Sequence, residues 1–204
     1  MENRTGFLQL IKNSSKELKK LPNLCVSAML LALRVILGSI TVLVIPVVKV
    51  GFSFLPTAIG GILYGPVVSG LIGALGDVLS YIVNPVGGAY FPGFTINGNI
   101  IGMIYGCFLY NKKITLKRVI LCELTISIVV ELLLSSLWLM MFYGYAFFAI
   151  LSARLVKEAI SFPIKVALIM TFSKITSRLL FLRRGAAANS RRHVAAPDSR
   201  SKHL

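Results

Sequence analysis

The chain has 204 residues, of which 56% are apolar, and a formal net charge of +15 at pH 7. The apolar residues form one long run with no soluble-domain stretch beside it, so lipid is the expected solvent. The basic residues fall in short clusters between apolar runs rather than on one soluble face. This pattern argues against a nucleic-acid-binding domain and indicates membrane topology instead.

The first segment of the chain, residues 1–21, is basic and amphipathic. It is too polar to be the apolar centre of a secretory signal, so we expect a helix on the cytoplasmic membrane surface. Its charged residues include Lys12, Lys16, Glu17, Lys19 and Lys20.

Residues 22–184 are expected to form one all-α membrane domain of about six transmembrane helices, because about 20 apolar residues cross a hydrocarbon core. The first crossing is predicted at about Leu24 to Ile45, between Pro22 and Pro46. The next segment, Val47 to Tyr64, holds only about ten residues of plausible helix, or roughly 15 Å of rise, and cannot cross alone. The remaining helices are predicted at about Pro66 to Val83, Phe94 to Leu109, Ile114 to Phe142 and Phe147 to Phe181.

The loops differ in charge. With an even number of crossings, the basic clusters lie on one side of the membrane and both termini are cytoplasmic. The loops at 46–53, 84–93 and 143–146 then lie outside, and they are poor in cations apart from Lys49. The cytoplasmic clusters are Lys112, Lys113, Lys117 and Arg118, and then Lys174, Arg178, Arg183 and Arg184. Residues 185–204 are expected to be a disordered tail or a cloning-derived extension without a functional role.

Arg34 is the only charge in the first crossing. An Arg at the centre of a lone membrane helix costs about 2.5–3.5 kcal/mol on insertion scales, so Arg34 should face the protein interior. Its partner is expected to be Asp77, Glu131 or a bound anionic ligand. The alternative role for Arg34 is a structural ion pair that fixes helix packing.

The last helix carries a polar stripe, because residues at i, i+4, i+7 and i+11 share one face. The outer end of this helix is where an anionic solute would arrive, and there Arg154 and Lys157 are candidates to bind it. The alternative is an Arg154–Glu158 pair within the helix. The stripe consists of Arg154, Glu158, Ser161 and Lys165, with Lys157 adjoining.

Aromatic and amide side chains form a further set of candidates. Trp138 is the only tryptophan. It follows Glu131 by about two turns and is predicted to share its face, where an indole beside a carboxylate would suit a flat heterocycle. Its alternative role is an anchor at the membrane interface. Asn97 and Asn99 offer amide hydrogen bonds beside the aromatic rings of Tyr90, Phe91 and Phe94.

Small residues indicate close helix packing. On the third predicted helix they are Ser69, Gly70, Gly73 and Gly76, which we interpret as scaffold. Ala28 and Ala32 form a small-xxx-small step, which is a weak indication of a docking surface.

Missing motifs narrow the possible functions. The sequence has no GxxxxGK[ST] phosphate loop, and its two histidines, His193 and His203, lie in the terminal tail. We therefore expect neither ATP hydrolysis by this chain nor a Ser/His hydrolase, and we predict no metal site and no cofactor. An enzyme based on paired carboxylates remains a distant alternative.

A family resemblance lies in the second and third helices. Their sequence resembles that of S components, the substrate-capture subunits of energy-coupling factor (ECF) vitamin transporters, along the run Phe54-Leu-Pro-Thr-Ala-Ile-Gly-Gly-Ile-Leu-Tyr-Gly-Pro-Val-Val-Ser-Gly-Leu-Ile-Gly-Ala-Leu-Gly-Asp77. The segments Tyr90-Phe-Pro-Gly-Phe-Thr95 and Ala28-Met-Leu-Leu-Ala-Leu-Arg34 are most similar to the folate subfamily.

The resemblance implies a non-catalytic, six-helix subunit of a bacterial cell-membrane importer that binds its vitamin from outside. Its partners would be a transmembrane coupling (T) component and two separate ATPase subunits. Ala28 and Ala32 match the AxxxA docking motif of the family.

Folate, the implied ligand, is a flat ring system with a di-acid tail, so its site needs stacking surfaces, polar groups and cations. We predict ring contacts from Phe94 and Trp138, pterin hydrogen bonds from Asn97, Asn99 or Asp77, and carboxylate contacts from Arg34, Arg154 or Lys157. Lys49, Tyr90 and Phe91 complete the predicted site. The alternatives are another flat vitamin, such as thiamin, riboflavin or biotin, or a membrane enzyme or scaffold protein.

Overall fold

The structure is a computed structural model that describes residues 7–18, 20–39, 41–45, 48–84, 90–143, 151–152, 154–173 and 176. Its helices are α1 (Phe7–Leu18), α2 (Leu21–Ser39), α3 (Phe54–Tyr64), α4 (Pro66–Val83), α5 (Pro92–Leu109), α6 (Leu116–Ile126) and α7 (Ser135–Tyr143), with strands β1 (Thr41–Ile45) and β2 (Val48–Gly51). A π-helical segment, Ser127–Leu134, joins α6 to α7. Residues 154–173 form the last helix, α8.

The first crossing is shorter than predicted. Helix α2 ends at Ser39, and β1 pairs antiparallel with β2 in a short hairpin, with Thr41 opposite Gly51. The prediction that the helix continues to Ile45 is therefore wrong. The run Thr-Val-Leu-Val-Ile is apolar enough for a membrane helix, but its β-branched residues favour a strand.

Helix α3 has 11 residues, about 16 Å of rise, and is too short to cross a bilayer alone, as predicted. It turns into α4 at Gly65, whose φ of +88° is a conformation that favours glycine. The helix expected near the N-terminus is present as α1, and it packs against this turn. The Ser14 hydroxyl donates a hydrogen bond to the Tyr64 carbonyl at 2.7 Å and accepts one from the Val67 amide at 3.0 Å. The Ser14 side chain of α1 thus caps the turn between α3 and α4.

Helices α4 and α5 touch through their backbones. A Cβ atom added to Gly98 would lie 2.6 Å from the Gly73 carbonyl oxygen, closer than real Cβ atoms approach any neighbour. Gly102 meets the Ser69 backbone in the same way, and Gly106 meets Pro66. The spacing of four residues places the α5 glycines on one face. Of the small residues on α4, Ser69 and Gly73 thus lie against the glycines of α5, which is consistent with their predicted scaffold role.

The predicted fifth helix is continuous but irregular. It runs from Leu116 to Tyr143 through the π-helical segment of eight residues. A π-helix has wider turns than an α-helix and is rare, often occurring at functional sites. Helices α3, α5, α6 and α8 pack around one apolar core, whose buried members include Ala58, Tyr105, Val119, Cys122 and Ile169.

The chain is a membrane protein. Within the described ranges, three helices are long and apolar enough to cross a bilayer: Leu21–Ser39, Pro66–Val83 and Leu116–Met141. Large apolar side chains on their outer surfaces are exposed, as lipid contact requires, and include Met29, Ile36, Ile82 and Met141. The total of about six crossings and the side of each terminus stay predictions.

The far end of the sixth crossing, its basic cluster and the tail at 185–204 lie outside the described residues, apart from residue 176. The loops at 84–93 and 143–146, which are predicted to lie outside, are described only in part.

The contact between α4 and α5 can be tested with Gly73→Ala. The added Cβ would meet the backbone of Gly98, so the helices must separate, and we expect a loss of about 1–3 kcal/mol in stability. The measurement is thermal unfolding in detergent. The matched control is Gly70→Ala on the same helix, whose nearest new neighbour is the flexible Met103 side chain at 3.1 Å. Equal melting temperatures for the two variants would contradict the assigned contact.

Candidate ligand-binding site

Asn97 joins α5 to α7. Its side-chain oxygen accepts a hydrogen bond from Trp138 Nε1 at 3.0 Å, and its Nδ2 donates to Ser135 Oγ at 2.9 Å. Asn97 is buried, and these partners fix the orientation of its amide. The bonds hold the indole of Trp138 against the first turns of α5.

Aromatic rings surround this junction. The Phe91 ring lies edge-on to Trp138, with centroids 5.4 Å apart, and edge-on to Phe94, with centroids 5.8 Å apart. Such tilted pairs are a favourable geometry for aromatic side chains. All three rings are only partly buried, so aromatic surface remains accessible beside α5. The structure thus brings together three of the predicted aromatic residues.

A hydrogen-bonded chain links the C-terminal end of α4 to the N-terminal end of α5. The Thr95 hydroxyl donates to Asp77 Oδ2 at 2.8 Å, and it lies 2.6 Å from the Tyr90 hydroxyl. Because a hydroxyl has one proton to donate, Tyr90 donates to Thr95 when Thr95 donates to Asp77. The Tyr90 ring also packs on Tyr81, with centroids 5.3 Å apart. Asp77 and Tyr90 therefore lie in the same part of the molecule as the aromatic cluster.

Arg34 reaches across several helices from α2. Its Nη1 donates a hydrogen bond to Thr57 Oγ1 of α3, and its side chain passes directly over Gly76 of α4. The Asp77 carboxylate interacts electrostatically with the guanidinium. However, Arg34 takes part in none of the ion pairs within 4.0 Å between described residues. Neither predicted carboxylate therefore forms a close ion pair with Arg34.

Arg154 has a partner on the neighbouring segment. Its Nη1 donates to the backbone carbonyl of Glu131 at 3.1 Å and lies 3.8 Å from Glu131 Oε2. Glu131 is part of the π-helical segment, so Arg154 connects α8 to that segment. The structure thus pairs Glu131 with Arg154 rather than with Arg34.

The polar stripe of α8 faces the protein. Glu158 accepts hydrogen bonds from Lys165 at 2.8 Å and from Ser127 at 2.6 Å, and Ser161 is only 2% exposed. The alternative Arg154–Glu158 pair is not among the ion pairs between described residues. We call the set Glu131, Arg154, Glu158 and Lys165 the ionic cluster.

The remaining predicted residues lie apart from these contacts. Lys157 is exposed on α8. Asn99 points toward α4, where its Oδ1 would be 3.4 Å from a Cβ on Gly70. Lys49 lies in β2 opposite Leu43, and its side chain is outside the described part of the chain.

The Glu131–Trp138 face predicted from α-helical spacing does not form. Glu131 contacts α8, whereas Trp138 contacts α5. The wider turns of the π-helical segment change the spacing between the two residues.

Sequence reasoning missed three hydroxyl residues of the site. Thr57 receives the Arg34 hydrogen bond, Thr95 links Asp77 to Tyr90, and Ser135 binds Asn97. Thr57 and Thr95 lie inside two of the three segments that carry the family resemblance, and Ser135 belongs to a Ser-Ser pair within an apolar helix. Polar residues in an otherwise apolar helix were the available signal, since they need partners in lipid.

Comparison with known proteins identifies the class. The family model "ECF transporter, substrate-specific component" matches residues 23–173. The chain therefore belongs to the substrate-specific components of ECF transporters.

Individual relatives are similar along most of the chain. The folate transporter FolT of Clostridium novyi (strain NT) is 37% identical over 172 residues, covering 84% of this chain and 99% of the relative. The folate transporter FolT of Leuconostoc mesenteroides is 35% identical over 148 residues, covering 69% of this chain and 78% of the relative. A crystal structure of FolT bound with folic acid has the same fold, with a TM-score of 0.68 and 33% identity, covering 75% of this chain and 93% of that one.

The ionic cluster can be tested with Lys165→Met. Lys165 is largely buried against Glu158, so its loss leaves a carboxylate without its cation. Removing one partner of a buried pair typically costs about 3–5 kcal/mol, and we expect thermal unfolding in detergent to report a loss of that order. The control is Lys157→Met, an exposed position on the same helix, where a change within about 0.5 kcal/mol is expected. Similar losses in both variants would show that Lys165 has no special role.

Proposed function

We propose that this chain is the folate-capturing S component of an ECF vitamin importer in a bacterial plasma membrane. The observation that carries the proposal is the similarity to FolT bound with folic acid, at 33% identity over 75% of this chain. The two FolT relatives support the same ligand. Folate would enter from outside, and this chain would perform no catalysis.

The contacts of the described residues refine the assignment of roles. Phe94 and Trp138 would provide ring contacts at the outer end of α5. Asn97 already uses its amide to bind Trp138 and Ser135, so its role is to position the indole. Asn99 and Asp77 are then the better candidates for hydrogen bonds to the pterin edge.

The cations differ in their availability for the di-acid tail. Arg154 is engaged by Glu131, whereas Arg34 is held by the neutral hydroxyl of Thr57. A charge held by a neutral partner can meet an anionic ligand without first breaking an ion pair. Arg34 is therefore the preferred carboxylate-binding residue, with Lys49 and Lys157 as further candidates near the outer surface.

The proposed topology has about six crossings with both termini in the cytoplasm. The coupling component would dock against α2, where Ala28 and Ala32 are exposed on the lipid-facing surface. Two small residues spaced by four allow another helix to approach closely. Two ATPase subunits on separate chains would drive transport.

Folate binding can be measured through Trp138, the only tryptophan. Titration of the purified protein with folate should quench its emission in a saturable manner, because the indole borders the proposed site. Equilibrium dialysis should give the same affinity, and free tryptophan amide corrects for light absorbed by folate. Thiamin, riboflavin and biotin serve as competing ligands. Saturable binding of one of these without binding of folate would overturn the folate assignment.

Docking can be tested with Ala28→Trp and Ala32→Trp. A bulky indole should prevent close helix approach, so we expect loss of copurification with the coexpressed coupling component and ATPases while folate affinity stays unchanged. The control is Met29→Trp, a substitution at a neighbouring position that is 71% exposed. Retention of the complex in both alanine variants would contradict docking at this step.

A further inference from the structure

We propose that Gly76 is a positioning residue, whose lack of a side chain gives Arg34 its path across α4 toward the carboxylates of the ligand. The inference rests on the proposed function for the identity of that ligand. The steric part depends only on contacts between described residues.

The contact between Gly76 and Arg34 is very close. A Cβ atom at position 76 would overlap Arg34 Cδ and Nε, both well inside the 3.0 Å that real Cβ atoms keep, and would lie 3.2 Å from Cγ. These atoms are in the middle of the arginine side chain rather than at its free end. A small rotation of the guanidinium therefore cannot relieve the overlap, and the whole side chain would have to take another path.

Beyond Gly76, the Arg34 guanidinium is held in place by a hydrogen bond. Arg34 Nη1 bonds the Thr57 hydroxyl, and Thr57 is itself fully buried, with its carbonyl accepting a hydrogen bond from Ser69 at 2.7 Å. Arg34 Nη2 would be 3.6 Å from a Cβ on Gly98, the residue between Asn97 and Asn99. The guanidinium thus reaches the segment of α5 that carries the candidate site.

Asp77, the next residue of α4, shows why the path of the Arg34 side chain affects the availability of its charge. Its carboxylate interacts electrostatically with Arg34. One carboxylate oxygen accepts a hydrogen bond from Thr95. Asp77 and Arg34 are not among the ion pairs within 4.0 Å between described residues. On its present path the guanidinium is held by Thr57. An arginine displaced from Gly76 would lose that position, and its charge would no longer be aimed at the ligand.

The test compares Gly76→Ala, Arg34→Ala and the double variant by equilibrium dialysis with folate and with folate dimethyl ester, whose tail has no charge. The unmodified chain should prefer folate by at least about tenfold. Gly76→Ala should reduce that preference to the level of Arg34→Ala, and it should have no further effect in the Arg34→Ala background. If Gly76 served helix packing alone, Gly76→Ala would weaken the binding of both ligands by the same factor.

The control is Gly38→Ala, one turn beyond Arg34 on α2, where the nearest new neighbours would be the Ser80 hydroxyl at 3.3 Å and Ser53 Cβ at 3.8 Å. It should keep the folate affinity within about twofold. Equal loss of both ligands in Gly76→Ala, or equal loss in the presence and absence of the Arg34 side chain, would overturn the proposal.

Melting temperatures of the same variants, without ligand, test the steric part. If Gly76→Ala misfolds, the double variant should recover the stability of Arg34→Ala, because the overlapping side chain has been removed; failure to recover would also overturn the proposal. Absence of folate binding by the unmodified chain would contradict the proposed function, while the ligand-free cycle would still decide whether Gly76 and Arg34 are coupled.

Discussion

The backbone contact between α4 and α5 determines the arrangement of the candidate site. Because Gly73 and Gly98 allow the two helices to touch, the end of α4 and the start of α5 lie side by side. Asp77 can then share a hydrogen bond with Thr95, and Arg34 can extend over α4 to reach α5. Larger residues at the contact would separate these groups, so the geometry of the candidate site depends on the scaffold glycines.

The polar residues form two systems with different physical roles. Beside α5, Arg34 donates a hydrogen bond to the neutral hydroxyl of Thr57 and is in none of the ion pairs within 4.0 Å between described residues. Along α8, cations and carboxylates are paired, within the helix in Lys165–Glu158 and with the π-helical segment in Arg154–Glu131. Removing one partner of a buried pair such as Lys165–Glu158 is costly, because it leaves an uncompensated charge. The sequence pattern alone does not separate these roles, since Arg34 and Arg154 are both cations in predicted membrane helices with several possible partners.

Much of the fold follows from local sequence, and the exceptions have physical causes. The limits of α4 are predictable because Pro66 suits the first turn of a helix and apolar residues continue to Val83. The hairpin is missed because the apolar run up to Ile45 suits either a strand or a membrane helix. Hydrophobicity does not distinguish the π-helical segment from an α-helix, so the position of Trp138 relative to Glu131 could not be derived from the sequence. Long-range partners such as Thr57 for Arg34 depend on tertiary packing.

The cap formed by Ser14 makes α1 part of the rigid body of the domain. A helix that only rested on lipid could slide or turn independently, but α1 is bonded to the turn between α3 and α4. Lys12 and Lys16 are exposed on this helix. If α1 lies on the cytoplasmic membrane surface, as the sequence predicts, a tilt of the domain would move these two charges relative to the lipid headgroups, at about 1 kcal/mol per cation near an anionic surface. With α1 on that surface, the charge of the lipid headgroups would contribute to the orientation of the whole domain.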